Sequence, residues 1–113
     1  MCGVAGIIFK KNQIDRNKII NMNGLISHRG PDQSGYLEYQ NLLLGHVRLS
    51  VLDISNKGRQ PMSNDDRFSI IYNGEVYNYQ EIKNILITKG YNFFSKTDTE
   101  VVLNAYKEWG NEC

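Results

Sequence analysis

The sequence has little cysteine, no long apolar run and no excess of charge, and each shortage removes a class of protein. Its 113 residues hold two cysteines, Cys2 and Cys113, one at each extreme. Such a pair builds no disulfide framework and predicts a reducing, cytoplasmic setting. No apolar stretch approaches the ~20 residues that cross a bilayer, which argues against a membrane protein. The run Val4–Phe9 is too short for the ~7–15-residue apolar region of a secretory signal, and it gives way to Lys10-Lys11. Formal net charge is +1, with 13 Lys+Arg scattered along the chain. No basic patch therefore points to nucleic acid. Repeats, low-complexity tracts and Pro/Gly/Ser linkers are missing as well. Cys2, His28, His46 and Cys113 lack ligand spacing, so no metal is expected. These absences leave at most one globular domain, long enough at 41% hydrophobic content to bury a core.

The pattern that remains is mixed. Residues 3–9 read as a buried strand with two glycines that permit close backbone approach. Asp15 caps a short helix carrying Ile19, Met22 and Ile26 at helical spacing, which must stop before His28-Arg29-Gly30-Pro31-Asp32. Tyr36–Tyr39 and Leu42–Leu52 read as strands joined at Gln40-Asn41. A long polar loop is expected over 53–66, a candidate lid over bound substrate. Phe68–Tyr72 reads as a further strand ending at Asn73-Gly74. Helices are expected at Tyr79–Lys89, stopped by Gly90, and after Thr97-Asp98-Thr99-Glu100, a capping box in which Thr97 bonds forward and Glu100 back. Val102, Ala105, Tyr106 and Trp109 mark one face of that last helix, and Gly110 ends it. The order predicts an α+β domain with an antiparallel sheet. No strand follows the last helix, so the chain reads as the first part of a layered domain.

Chemistry concentrates at the start. Removal of Met1 would leave Cys2 with a thiol and a free α-amine on one residue. Free thiols titrate near ~8.5 and α-amines near ~7.7–8.0, so a nucleophile and its base share one backbone position. Taken alone, a cysteine in a first strand reads more readily as a small packed hydrophobe. Four other segments raise the same question: His28–Asp32, Gly45–Asp53, Asn73–Asn78 and Lys96–Glu100. Each has a plain explanation by itself. Asn73-Gly74 is the commonest hairpin turn signal, Arg48 suits a solvated strand, His46 a satisfied sheet histidine, and Asp98 the first turn of a helix.

Together the segments resemble the N-terminal glutaminase domain of class II glutamine amidotransferases, the N-terminal-nucleophile type. Within that group they are similar to glutamine-hydrolysing asparagine synthetase. The residues that carry the resemblance are Met1–Gly6, His28–Gly35, Arg48–Asp53, Gln60–Met62, Tyr72–Tyr79 and Thr97–Glu100. They stand in family order across the whole chain. The resemblance implies a layered αββα sandwich of antiparallel sheets, incomplete at the C-terminus, with residues 1–113 as the N-terminal part of the glutaminase domain. It implies that Cys2 attacks glutamine, with the Asn73 side chain and the Gly74 N–H as oxyanion donors. Arg48 then suits the substrate α-carboxylate, Glu75 and Asp98 its α-ammonium, and Val51 and Leu52 line the pocket. The His28–Asp32 turn is given only a structural role, and Tyr77 and Asn78 a supporting one.

The resemblance also marks what these residues do not hold. The sequence has no Ser-Gly-Gly-x-Asp-Ser loop and no Gly-rich phosphate loop. ATP and Mg are therefore expected only for a synthetase domain absent from this chain, and no cofactor within it. The implied overall reaction is amidation of aspartate to asparagine, with glutamine as nitrogen source and the synthetase domain in the same chain, possible as a homodimer at full length. Other readings are transfer to a sugar or another acceptor in surface-polysaccharide synthesis, or a catalytically silent truncated fragment. A piece lacking part of its sandwich is expected to expose sheet edges and apolar faces.

Overall fold

Small and apolar residues fill Gly3–Ile8, and that segment is strand β1 in a computed structural model of the chain, which describes residues 1–10 and 13–113. It pairs antiparallel with β3, Leu42–Arg48, placing Gly3 opposite Val47 and Ile8 opposite Leu42. Strand β2, Gln33–Tyr39, pairs antiparallel with the other edge of β3, Gln33 opposite Arg48. The order is thus β1-β3-β2, with the last-made strand in the middle. Because side chains alternate along a strand, this register puts Ala5, Ile7, Leu43 and Val47 on one face.

Helix α1, Arg16–Leu25, covers that face. Asp15 caps it as expected, its Oδ1 accepting from the Asn17 N–H at 3.0 Å. Ten residues make a marginal helix alone, so packing must hold it. Ile19 is fully buried against Ala5, Phe9 and Leu43, flanked by Ile7, Ile14, Met22 and Ile26. Burying one such side chain contributes ~1.5–3 kcal/mol. The opposite sheet face is partly bare, with Val4, Ile8 and Tyr39 exposed.

A second core lies in the last third. Helix α2, Tyr79–Thr88, packs on α3, Asp98–Trp109, around buried Leu86, Val101 and Ala105. Strands β4, Met62–Ser63, and β5, Ser69–Ile70, form a short antiparallel pair. The chain is therefore α+β with antiparallel sheets. Among the described residues no helix is long and apolar enough to cross a membrane.

Four expectations change. The strand anticipated over 42–52 ends at Arg48, because its guanidinium turns into the following loop. The strand anticipated over 68–72 keeps only Ser69–Ile70. Side chains replace its ladder: the Tyr72 N–H donates to Gln60 Oε1 at 2.6 Å, and Tyr72 O faces His46 Nε2 at 3.1 Å. The polar stretch 53–66 holds a 3-10 turn at Asn56–Gly58 as well as β4, and its first residues are tied down. Only half of the capping box forms. Thr97 Oγ1 accepts from the Glu100 N–H at 3.4 Å, but Ser95 Oγ takes the Thr97 N–H. The buried Glu100 carboxylate instead accepts from the Phe94 N–H at 2.9 Å and the Ser95 N–H at 2.7 Å.

Candidate functional site

The end of β3 brings the two ends of the sequence pattern together. Cys2 precedes β1, and its Sγ accepts from the Leu49 N–H at 3.4 Å while facing Leu49 O at 3.7 Å. Arg29 fixes the same residue from behind, its Nε donating to Cys2 O at 2.9 Å. The turn that carries Arg29 lies against the backbone of Arg48. The Asp32 N–H donates to Arg48 O at 3.1 Å, and Asp32 Oδ2 accepts from the Ser50 N–H at 2.7 Å. Gly30 permits that approach, because a Cβ there would stand 2.5 Å from Arg48 N. The His28–Asp32 turn thus has the structural role expected of it, and Arg29 gives it a definite target.

Asn73, Gly74 and Glu75 form a short connection held at both ends. Upstream, His46 and Gln60 hold Tyr72, and Gln60 Nε2 donates to Thr99 Oγ1 at 3.2 Å. Downstream, the Val76 N–H donates to Asp98 Oδ2 at 3.0 Å. Among the described residues no strand follows Gly74, so Asn73-Gly74 is not a hairpin turn. A Cβ on Gly74 would lie 2.6 Å from Tyr72 Oη, so the tyrosine ring occupies the space a side chain would fill. Tyr72 Oη is pushed up from its ordinary pKa by burial and by Asp98 and Glu75. It therefore stays a neutral hydroxyl beside two carboxylates.

Arg48 is 4% exposed and largely committed. Its Nη1 donates to Gln33 Oε1 at 3.0 Å and to Ser55 O at 3.1 Å, and its Nη2 donates to Asp53 O. Nε and the second Nη2 hydrogen carry no hydrogen bond among the described residues. They are donors of the kind a carboxylate accepts. His46, two residues earlier on β3, is buried. Burial pushes the imidazole below its usual pKa, outweighing the Tyr72 carbonyl, and nearby Arg48 pushes the same way. Its neutral Nε2–H therefore donates to Tyr72 O, while Nδ1 is buried without a partner.

A cleft of about 730 Å³ opens between these walls, within the ~300–1,000 Å³ of small-molecule sites. Cys2, Arg48, Val51, Leu52, Asn73, Gly74, Glu75 and Asp98 all line it. Sequence reasoning missed the supports: Arg29 on Cys2, His46 and Gln60 on Tyr72, and Thr99 on Gln60. Their only signal was membership of the same motif runs. Tyr77 is 93% exposed at the cleft and Asn78 is exposed at the start of α2, so neither supports the pocket from behind. Among the described residues no cluster of three His, Cys, Asp or Glu is placed to hold a metal ion.

Comparison with protein families matches residues 1–113 to a glutamine amidotransferase domain. Individual relatives agree. Glutamine-hydrolyzing asparagine synthetase 3 of Bacillus subtilis is 41% identical over 118 residues, covering 100% of this chain and 19% of its own length. A putative glutamine-hydrolyzing asparagine synthetase 2 of Methanocaldococcus jannaschii is 40% identical over 134 residues, covering 100% of this chain and 25% of its own. Glutamine-hydrolyzing asparagine synthetase B of Escherichia coli is 36% identical over 115 residues, covering 99% and 20%. The chain spans about a fifth to a quarter of the length of these relatives.

Proposed function

The chain belongs to the glutamine amidotransferase domain family, and from that premise we propose that it cleaves glutamine to glutamate and ammonia through a thioester on Cys2. The carrying observation is the convergence of Cys2 with Asn73, Gly74, Arg48, Glu75 and Asp98 on one cleft. Met1 is 75% exposed, accessible to an aminopeptidase. Once it is removed, the α-amine of Cys2 takes the thiol proton through a water. The thiolate attacks the side-chain amide carbon of glutamine. The oxyanion that forms is stabilised by the Asn73 amide and the Gly74 N–H, each such donor being worth ~10²–10³ in turnover. Protonated by the amine, ammonia leaves, and water then hydrolyses the γ-glutamyl thioester. At the far end Arg48 receives the α-carboxylate, while Glu75 and Asp98 receive the α-ammonium. Val51 and Leu52 wall the pocket.

The ammonia is proposed to pass to a synthetase domain of the same protein that amidates aspartate with ATP and Mg; the relatives' names, glutamine-hydrolyzing asparagine synthetases, support the asparagine-forming part of that reading. On this reading residues 1–113 are the N-terminal part of a four-layer αββα domain. Mass measurement of the N-terminus and a glutamate-release assay test the proposal. Parent protein lacking Met1 should release glutamate, and Cys2→Ala should not. Wild-type rates in Cys2→Ala would sink the mechanism, as would full activity with Met1 retained, since an amide nitrogen is no base.

A further inference from the structure

Asp53 takes no part in the steps above, yet its hydrogen bonds reach both walls of the cleft. On one side its carbonyl oxygen accepts from Arg48 Nη2. On the other its Oδ2 accepts from the Lys96 N–H at 2.9 Å, two residues before Asp98. Its Oδ1 closes the intervening loop, accepting from Ser55 N at 2.9 Å and Ser55 Oγ at 2.6 Å. Ser55 O in turn receives Arg48 Nη1. The Ser55 hydroxyl, the Lys96 N–H and the Ser55 N–H hold the carboxyl down to about 2. It is an anion throughout the neutral range.

The two walls come from different packing units. Arg48 stands at the end of the sheet that packs on α1, and Asp98 begins the helix that packs on α2. The buried clusters of these units share no residue. Polar bonds therefore take part in setting the distance between the walls. Gln60 joins them in the buried interior through Tyr72 and Thr99. Asp53 does so at the half-exposed edge, bonded to Arg48 itself and to Lys96, two residues from Asp98.

We propose that Asp53 is a positioning residue that fixes Arg48 relative to Asp98, and thereby sets the affinity for the α-amino-acid end of glutamine. The inference rests on the glutamine reading above. Removing the side chain leaves the Asp53 carbonyl for Arg48 but frees Lys96 and Ser55. Reacting atoms at Cys2 and Asn73 are untouched, so recognition suffers and chemistry does not.

The test is the steady-state kinetics of glutamine hydrolysis by the full chain. Asp53→Ala should raise KM about tenfold, the weight of roughly one charge-assisted hydrogen bond, with kcat changed less than about threefold. Asp53→Asn, which keeps an acceptor for Ser55 or Lys96, should recover part of the loss. Alkylation of Cys2 by iodoacetamide, which needs no α-carboxylate, should keep its parent rate in both variants. An unchanged KM in Asp53→Ala, in a parent that hydrolyses glutamine, overturns the positioning role alone. A fall in kcat and alkylation rate together overturns it in favour of general support of the fold. A parent that neither hydrolyses nor binds glutamine overturns the functional reading and this inference with it.

Discussion

Gly30→Ala should damage stability and glutamine affinity together. A Cβ at this position would stand 2.5 Å from Arg48 N and Val47 C, and 2.6 Å from Arg48 C. All three are backbone atoms of the central strand, which is paired on both sides and cannot move without breaking those pairings. Overpacking costs ~1–3 kcal/mol, and three unyielding contacts put this case near ~3 kcal/mol. At roughly 4 °C per kcal/mol for a domain of this size, the melting temperature should fall by about 12 °C. Relief must come from the turn, which carries Arg29 away from Cys2 O and Asp32 away from Ser50. Gly24→Ala is the control. No atom lies within 4 Å of its added Cβ, and in α1 alanine gains up to about 1 kcal/mol over glycine. That variant should melt a few degrees higher. Differential scanning calorimetry with a glutamine titration reads both effects. A Gly30→Ala protein melting within about 2 °C of the parent would refute the close approach of the turn to β3.

Arg48→Lys should raise KM for glutamine by about 10- to 100-fold with a smaller effect on kcat. One ammonium cannot serve Gln33, Ser55, Asp53 and a substrate carboxylate at once, and each charge-assisted bond contributes ~1.5–3 kcal/mol. Steady-state kinetics decide it, and a parent-like KM would remove Arg48 from the pocket. The second expectation concerns acid. The pKa of His46 is lowered by burial in the folded state, so its contribution to stability is fully present above the unfolded value near ~6.5 and is lost as pH falls below it. Urea midpoints between pH 8 and pH 5 should drop more steeply in the parent than in His46→Gln, which retains a donor for Tyr72 O. Parallel curves would show that His46 takes up its proton without cost.

The helices were legible because their signals are local. Asp15 caps α1 and Gly90 stops α2, both within a turn of the residues they govern. The strand ends were not legible, because long-range side chains decide them. Nothing near Tyr72 announces that Gln60 and His46 take its N–H and C=O, and nothing near Arg48 announces that the loop after it will claim a guanidinium. Glu100 carries the same lesson: its spacing from Thr97 fits a capping box, but Ser95 intervenes and the carboxylate turns to the preceding loop. The site residues were readable as a set only through the family resemblance, and they do share one cleft. Their individual roles rest on chemistry, which is why Asp53, quoted within a motif run, had no role until both of its partners were in view.

The strand order has a consequence for the order in which parts come undone. β2 and β3 are neighbours in sequence, joined by a two-residue turn, whereas about thirty residues separate β1 from the one strand it pairs with among the described residues. Closing the longer loop costs on the order of 2 kcal/mol more in chain entropy, by the usual logarithmic scaling. The hairpin therefore outlasts the edge strand under mild denaturation, and Cys2 departs with that strand. A population that has shed β1 would keep most of its ellipticity while losing its nucleophile, so spectroscopic intactness overstates the competent fraction.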